Sequence, residues 1–221
     1  MMKLKLLRRN NGLIFSFLFV CVSVFSQSIE EVYVKMPDIL NPTLSSQNRL
    51  ELLEYHKAHQ SDSTVNRFGN QAHLILMDTL NERILVKNTA SSTFDIKINY
   101  STDSVPYIGI IRTVCAPVCH STVEFYDTAW NLIPLQFIMP KAIEWLDGKS
   151  INLDIIDSGW LKKTLDISFI SLSFGSDNNV LTAKNNTLDF LSAEDRKIIK
   201  PFLSDKILTY KLQNRMWVYK P

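Results

Sequence analysis

Apolar and polar positions alternate most cleanly where Phe94, Ile96, Ile98 and Tyr100 interleave with Thr93, Asp95, Lys97 and Asn99. A period of two predicts a strand that buries one face and leaves the other wet. Shorter segments of the same kind recur at residues 73–78, 83–87, 107–114, 121–126 and 132–139, parted by turn-forming pieces such as Thr102-Asp103-Ser104. Their connections are too short to hold crossover helices, so antiparallel pairing is expected.

Helical signals flank this block. Pro37 and Pro42 keep the lead over 36–42 out of helix. Ser45 and Ser46 can cap a helix drawn from Ser46 to Ala58, with Leu50, Leu52, Leu53 and Tyr55 on its apolar side. Past the strands, Pro140 can open a short helix through Trp145, ended by Asp147 and Gly148. Strands are expected at 165–174, 180–184, 207–212 and 216–219. A helix from Ser192, where Asp195 partly completes a capping box, runs toward Phe202 despite Pro201. The sum is an α+β fold, a mainly antiparallel β-sheet with two or three packed helices. A two-sheet β-sandwich is the alternative, since many short strands at this spacing also suit one.

The start of the chain reads as an export signal over residues 1–26. Lys3, Lys5, Arg8 and Arg9 precede a mostly apolar run from Leu13 to Phe25, and Val24 and Ser26 sit where signal peptidase takes small side chains. Cleavage is expected before Gln27, leaving residues 27–221 as a single exported domain in the periplasm, at the cell surface or outside the cell. Phe19 and Val20 stand where a lipid anchor on Cys21 needs a short aliphatic stretch and a small residue, so a lipoprotein is not expected. A retained signal anchor is the competing reading. The run over 13–25 falls short of the ~20 residues that span a bilayer, and no later stretch reaches that length, so no membrane span is expected after cleavage.

The leader holds four of the 24 basic residues, which leaves 20 against 22 acidic ones. A nucleic-acid binder needs a basic stripe to displace counterions, and none is visible. The six glycines, Gly12, Gly69, Gly109, Gly148, Gly159 and Gly175, lie too far apart for a phosphate cradle or a dinucleotide fingerprint. No serine has the flanking glycines of a nucleophile elbow. No cofactor is therefore expected.

Cys115 and Cys119 fall between two predicted strands, and exported proteins meet oxidising conditions. A straight chain would hold their Cα atoms roughly 13 Å apart, whereas a tight hairpin loop around Pro117 would bring them within bonding reach. Bonded and buried free thiols both stay open. Redox catalysis fits poorly, because disulfide oxidoreductases place two residues between the cysteines at a helix start, and here there are three. His56 and His59 are three apart on the predicted helix, but the zinc helix spaces its histidines by four with a glutamate directly after the first, where Lys57 stands. His56 is more simply a boundary residue. His73 and His120 are the other two histidines. The acidic pairs Glu30 with Glu31 and Asp154 with Asp157 read as solvated, since glycoside chemistry depends on a separation in space. Tyr126, Trp130, Trp145, Trp160 and Trp217 could line a carbohydrate or peptide groove, or simply fill a core. No catalytic, cofactor-binding or metal-ligating residue is assigned.

The order Met36-Pro37, Asn48-Arg49-Leu50, Ile111-Arg112-Thr113-Val114, Ser121, Phe125-Tyr126-Asp127 and Trp130 after an export signal resembles the exported bacterial family numbered as domain of unknown function 3256. The resemblance spans nearly all of the chain past the leader. It implies export and supplies no mechanism or functional residue. Two functions are therefore carried forward. The first is a non-enzymatic binding or assembly domain for a protein, glycan or lipid partner. The second is a hydrolase whose histidine and carboxylates are brought together by folding, which requires a histidine within hydrogen-bond reach of Asp or Glu inside a concave pocket.

Overall fold

The computed structural model describes residues 27–147 and 158–220. The leader, the Gly148 helix stop and the pair Asp154 and Asp157 lie outside the described residues. The chain opens with two helices, α1 (Ile29–Lys35) and α2 (Ser46–Lys57). Ser28 caps the first through the Glu31 amide. Ser45 caps the second in a capping box with Asn48, close to the helix drawn from the sequence. α1 was not expected, as seven residues are too few to display a helical period.

Six strands follow in an antiparallel meander, each next to its neighbour in sequence: β1 (Ser63–Val65), β2 (Gln71–Asp78), β3 (Arg83–Thr89), β4 (Ser92–Tyr100), β5 (Pro106–Cys115) and β6 (Cys119–Tyr126). Helix α3 (Ser158–Asp166) leads to a second antiparallel sheet of β7 (Ile170–Phe174), β8 (Val180–Asn185), β9 (Leu208–Gln213) and β10 (Met216–Lys220), with α4 (Ala193–Ile199) between β8 and β9. The fold is thus α+β, with two sheets rather than one. A strand was expected from residue 165, but Leu165 and Asp166 close α3 and pairing begins at Ile170.

Two apolar layers hold these parts together. Ile84, Val86, Phe94, Ile96, Ile98, Ile108 and Ile110 face α1 and α2, meeting Ile29, Tyr33, Leu52 and Leu53. On the opposite face, Tyr107, Ile111 and Phe125 meet Ile170, Leu172, Phe174, Leu181, Leu208 and Trp217 of the second sheet. Burying each such side chain stabilises the fold by about 1.5–3 kcal/mol. Gly109 lets the sheets meet closely, because a Cβ there would lie 2.6 Å from the Phe174 ring.

The wet face expected on β4 is not wet. Asp95, Lys97 and Asn99 point at the second sheet and are all buried. Each is satisfied by that sheet or by Arg83. The Arg83 guanidinium donates to both oxygens of Asp95, at 2.9 and 2.7 Å, and to the Phe174 carbonyl at 2.7 Å. Lys97 Nζ donates to the carbonyls of Gly175, Ser176 and Asp177 at 2.7, 3.0 and 2.8 Å. Asn99 Oδ1 accepts the Asn179 amide, and Asn179 Nδ2 donates to the Tyr100 carbonyl. The turn between β7 and β8 is thereby bolted to β4. Burial pulls the Lys97 ammonium below its ordinary pKa, with Arg83 adding to the effect.

Residues 132–139 alternate as expected, with Ile133, Leu135, Phe137 and Met139 packed against the inter-sheet core. They form an extended segment rather than the strand expected, because Pro134 lacks an N–H and only isolated bridges form, at Leu132 and Gln136. After Pro140, Ala142–Trp145 is a single 3-10 turn. At the sheet edge, β1 pairs only with Gln71, Ala72 and His73 of β2. Beyond it the register shifts between Leu74 and Leu76, and Ile75 is 55% exposed.

The β5–β6 hairpin places Cys115 opposite Cys119, and the two are joined by a disulfide. The hairpin alternative for Pro117 is the one adopted. The edge of β7 docks beside it: His120 Nδ1 accepts the Ile170 amide at 3.2 Å, Ser121 Oγ accepts the Leu172 amide at 2.9 Å, and Asn186 Nδ2 donates to the Cys119 carbonyl at 3.0 Å.

Replacing Lys97 by Met leaves three carbonyls without their donor, at a loss of about 1–3 kcal/mol. The expected result is a lower melting temperature, with faster amide exchange concentrated at residues 173–180; unchanged exchange there would contradict the bolt. A chain-entropy argument gives the disulfide, whose cysteines are separated by 4 in sequence, roughly 2 kcal/mol of stabilisation. A Cys115→Ser/Cys119→Ser variant should therefore stay folded, with exchange rising first at the Ile170 and Leu172 amides. A uniform rise across both sheets would argue against a local role.

Candidate functional site

The charged residues in the family-like stretches are fasteners. Arg49, fully buried, donates to the Leu44 and Val34 carbonyls at 2.6 and 3.1 Å, to the Met36 carbonyl, and lies 3.1 Å from Asp38 Oδ1. Its guanidinium sits 5.9 Å from the Tyr33 ring centre. Arg67 grips the other oxygen of Asp38. Arg112 donates to the Leu40 carbonyl at 3.1 and 3.0 Å and to Glu124 at 2.6 Å, over the face of Phe94. Burial alone would raise the Glu124 carboxyl, but the Tyr126 hydroxyl and Arg112 overcome it and hold it below its ordinary pKa. Arg49 ties the segment between α1 and α2 to α2, and Arg112 ties it to the first sheet. Asp127 closes a turn on Ala129 and Asn131, which sets Trp130 beside Tyr126.

The histidines are dispersed. His56 Nδ1 lies 2.6 Å from Asp62 Oδ1, with side chains 40% and 68% exposed. That dyad is on open surface. His73 lines a cleft of about 440 Å³ with Asn70, Gln71 and Lys87, and no carboxylate lines it. His120 is engaged by a backbone amide, and His59 closes the end of α2 in a left-handed conformation at φ 55°. The structure thus supplies a carboxylate without a cleft and a cleft without a carboxylate. Among the described residues no three His, Cys, Asp or Glu side chains are placed to hold a metal ion. No described helix is long and apolar enough to cross a membrane.

Most of the aromatics fill the interior. Trp145 is fully buried, Trp217 stacks on Phe125 at 5.4 Å, Tyr126 is buried, and Trp130 and Trp160 are half-buried. Trp145 nonetheless helps to build a cleft. Its indole Nε1 donates to the Lys206 carbonyl at 2.6 Å, and its own carbonyl accepts the Ser204 amide at 2.9 Å. A bridge between Leu146 and Leu203 fixes the start of that segment. Opposite, Asn185 Oδ1 accepts the Thr187 amide at the start of the 3-10 turn Thr187–Asp189, which carries Leu188. Arg196 of α4 holds the Leu188 carbonyl at 2.7 Å.

Between these two walls lies a cleft of about 340 Å³, lined by Trp145, Lys184, Asn185, Leu188 and residues 203–207. Leu188 and Leu203 are half-buried, and Ile207 is 62% exposed. Lys184 and Lys206 stand at its rim with Asp205, and neither lysine has an ion pair among the described residues. The sequence marked only Trp145 of this set. Lys184, Leu188 and Lys206 belong to no motif, and long-range folding alone assembles them.

A solved structure of a domain of an uncharacterized protein from Porphyromonas gingivalis W83 is similar in fold, with a TM-score of 0.72 and 18% identity, over 88% of this chain and 99% of that one. No curated protein matches the chain. The model of a family described as proteins of unknown function, DUF3256, matches residues 21–217. The match takes in the first sheet, the second sheet as far as the start of β10, the arginine fasteners and the cleft, and the chain belongs to the DUF3256 family.

Proposed function

We propose that this protein is an exported binding or assembly module, residues 27–221 acting as one unit, that holds a partner without transforming it. The observation that carries the reading is the cleft walled by Leu188, Leu203 and Ile207. There an apolar floor meets polar rim groups that have no ion-pair partner among the described residues. The buried cations, by contrast, are spent on the fold, Lys97 on three carbonyls and Arg49 on backbone oxygens, as are the half-buried Arg83 on Asp95 and Arg112 on a backbone oxygen. A small cleft with a few convergent polar groups is the usual form of a ligand site. Export is supported by the leader, and a partner of protein, glycan or lipid chemistry suits that location.

The hydrolase reading retains one specific support, the 2.6 Å contact of His56 with Asp62. It lacks the enclosure that would exclude water and orient a substrate.

In a fragment screen by NMR on the chain from Gln27 onward, chemical-shift changes are expected to gather at Leu188, Leu203 and Ile207. Ester, peptide and glycoside substrates, with divalent metals supplied, should show no turnover; multiple turnovers abolished by His56→Ala would reverse the assignment. N-terminal sequencing of protein isolated from its native envelope should begin at Gln27. An intact leader on that material would contradict export by cleavage.

A further inference from the structure

We infer that the occupant of this cleft is a small organic monoanion with an apolar body, an inference that rests on the binding-module reading and narrows it. At about 340 Å³ the cleft lies near the bottom of the ~300–1,000 Å³ range of ligand sites, a size that suits a small ligand. Its lining combines apolar and charged side chains. Leu188, Leu203 and Ile207 offer an apolar wall, and a bound alkyl chain would remove Ile207 from water.

The rim selects charge. Lys184 comes from the end of β8 and Lys206 from the segment that enters β9, just past the point where the two strands pair at Ala183 and Leu208. With Asp205 the only carboxylate among the lining residues, the local charge is +1. Asn185 and Ser204 add neutral polar groups to the lining, Asn185 Oδ1 already accepting the Thr187 amide and the Ser204 hydroxyl already donating to the Trp145 carbonyl. A single carboxylate balances that local charge, whereas a dianion would exceed it. The two lysines are solvent-exposed, so each contributes modestly, and much of the affinity must come from the apolar body.

The test compares sodium octanoate with octanamide, a neutral molecule of the same shape, by NMR titration of the chain from Gln27 onward, which contains every described element. Octanoate should bind about five- to tenfold more tightly, with shifts at Lys184, Leu188, Leu203 and Ile207. That preference should shrink in 1 M salt, where the Debye length is about 3 Å. Lys184→Gln with Lys206→Gln should bring octanoate down to the affinity of octanamide and leave octanamide unchanged, while Ile207→Asp weakens both. Should the double variant unfold, Lys184→Gln alone and the salt comparison decide the matter. Equal affinity of the two molecules for the cleft overturns the anion assignment and leaves the binding-module reading standing. Absence of shifts at the cleft with either molecule overturns both.

Discussion

The placement of the second sheet depends on the burial of a polar strand face. An apolar face on β4 would have allowed the sheets to slide, because dispersion and hydrophobic burial are non-directional. Instead Asp95, Lys97 and Asn99 each require a partner at a fixed position, and the β7–β8 turn supplies three carbonyls and an amide where they are needed. An unpaired group in that place would be penalised by its lost hydration, so the polar row gives register to a contact that apolar packing supplies with strength. The same logic acts on the outer side of the first sheet, where Arg49 and Arg112 fix the N-terminal helices through backbone oxygens.

This division explains which parts of the fold were legible in the sequence. β2, β3 and β6, and β8 to β10, announce themselves because their patterning is local, and β5 does so as a short apolar run. The helix from Ser46 does so through its cap and its leucines. The wet face assigned to β4 could not have been avoided by reading its own neighbourhood, since the carbonyls that bind Lys97 arrive 78 to 80 residues further along the chain. Residues 132–139 show the reverse case. Their side-chain alternation is correct, and Pro134 prevents the ladder that would have made them a strand. α1 carried a readable cap at Ser28 with two acidic residues in its first turn, a signal that went unused for want of length.

The candidate site was hardly legible at all. Histidine and cysteine drew attention by their chemistry, and the fold disperses the first and bonds the second. The cleft is made instead by common residues, and only Trp145 among them is rare enough to be noticed. Its role there is to brace the wall through its indole N–H and its carbonyl. The resemblance to an uncharacterised family was legible because it rests on the order of several stretches, and those stretches have turned out to serve architecture.

The short first strand has one further consequence. Because β1 stops after three residues, the outer rim of β2 past Leu74, whose amide is taken by the Asp62 carbonyl, would offer a foreign chain backbone groups without a strand partner among the described residues beside Ile75, Leu76 and Met77, a run without a single charge. The bulge between Leu74 and Leu76 breaks the straight spacing that such a guest needs, and so acts as a guard against fibril-like stacking.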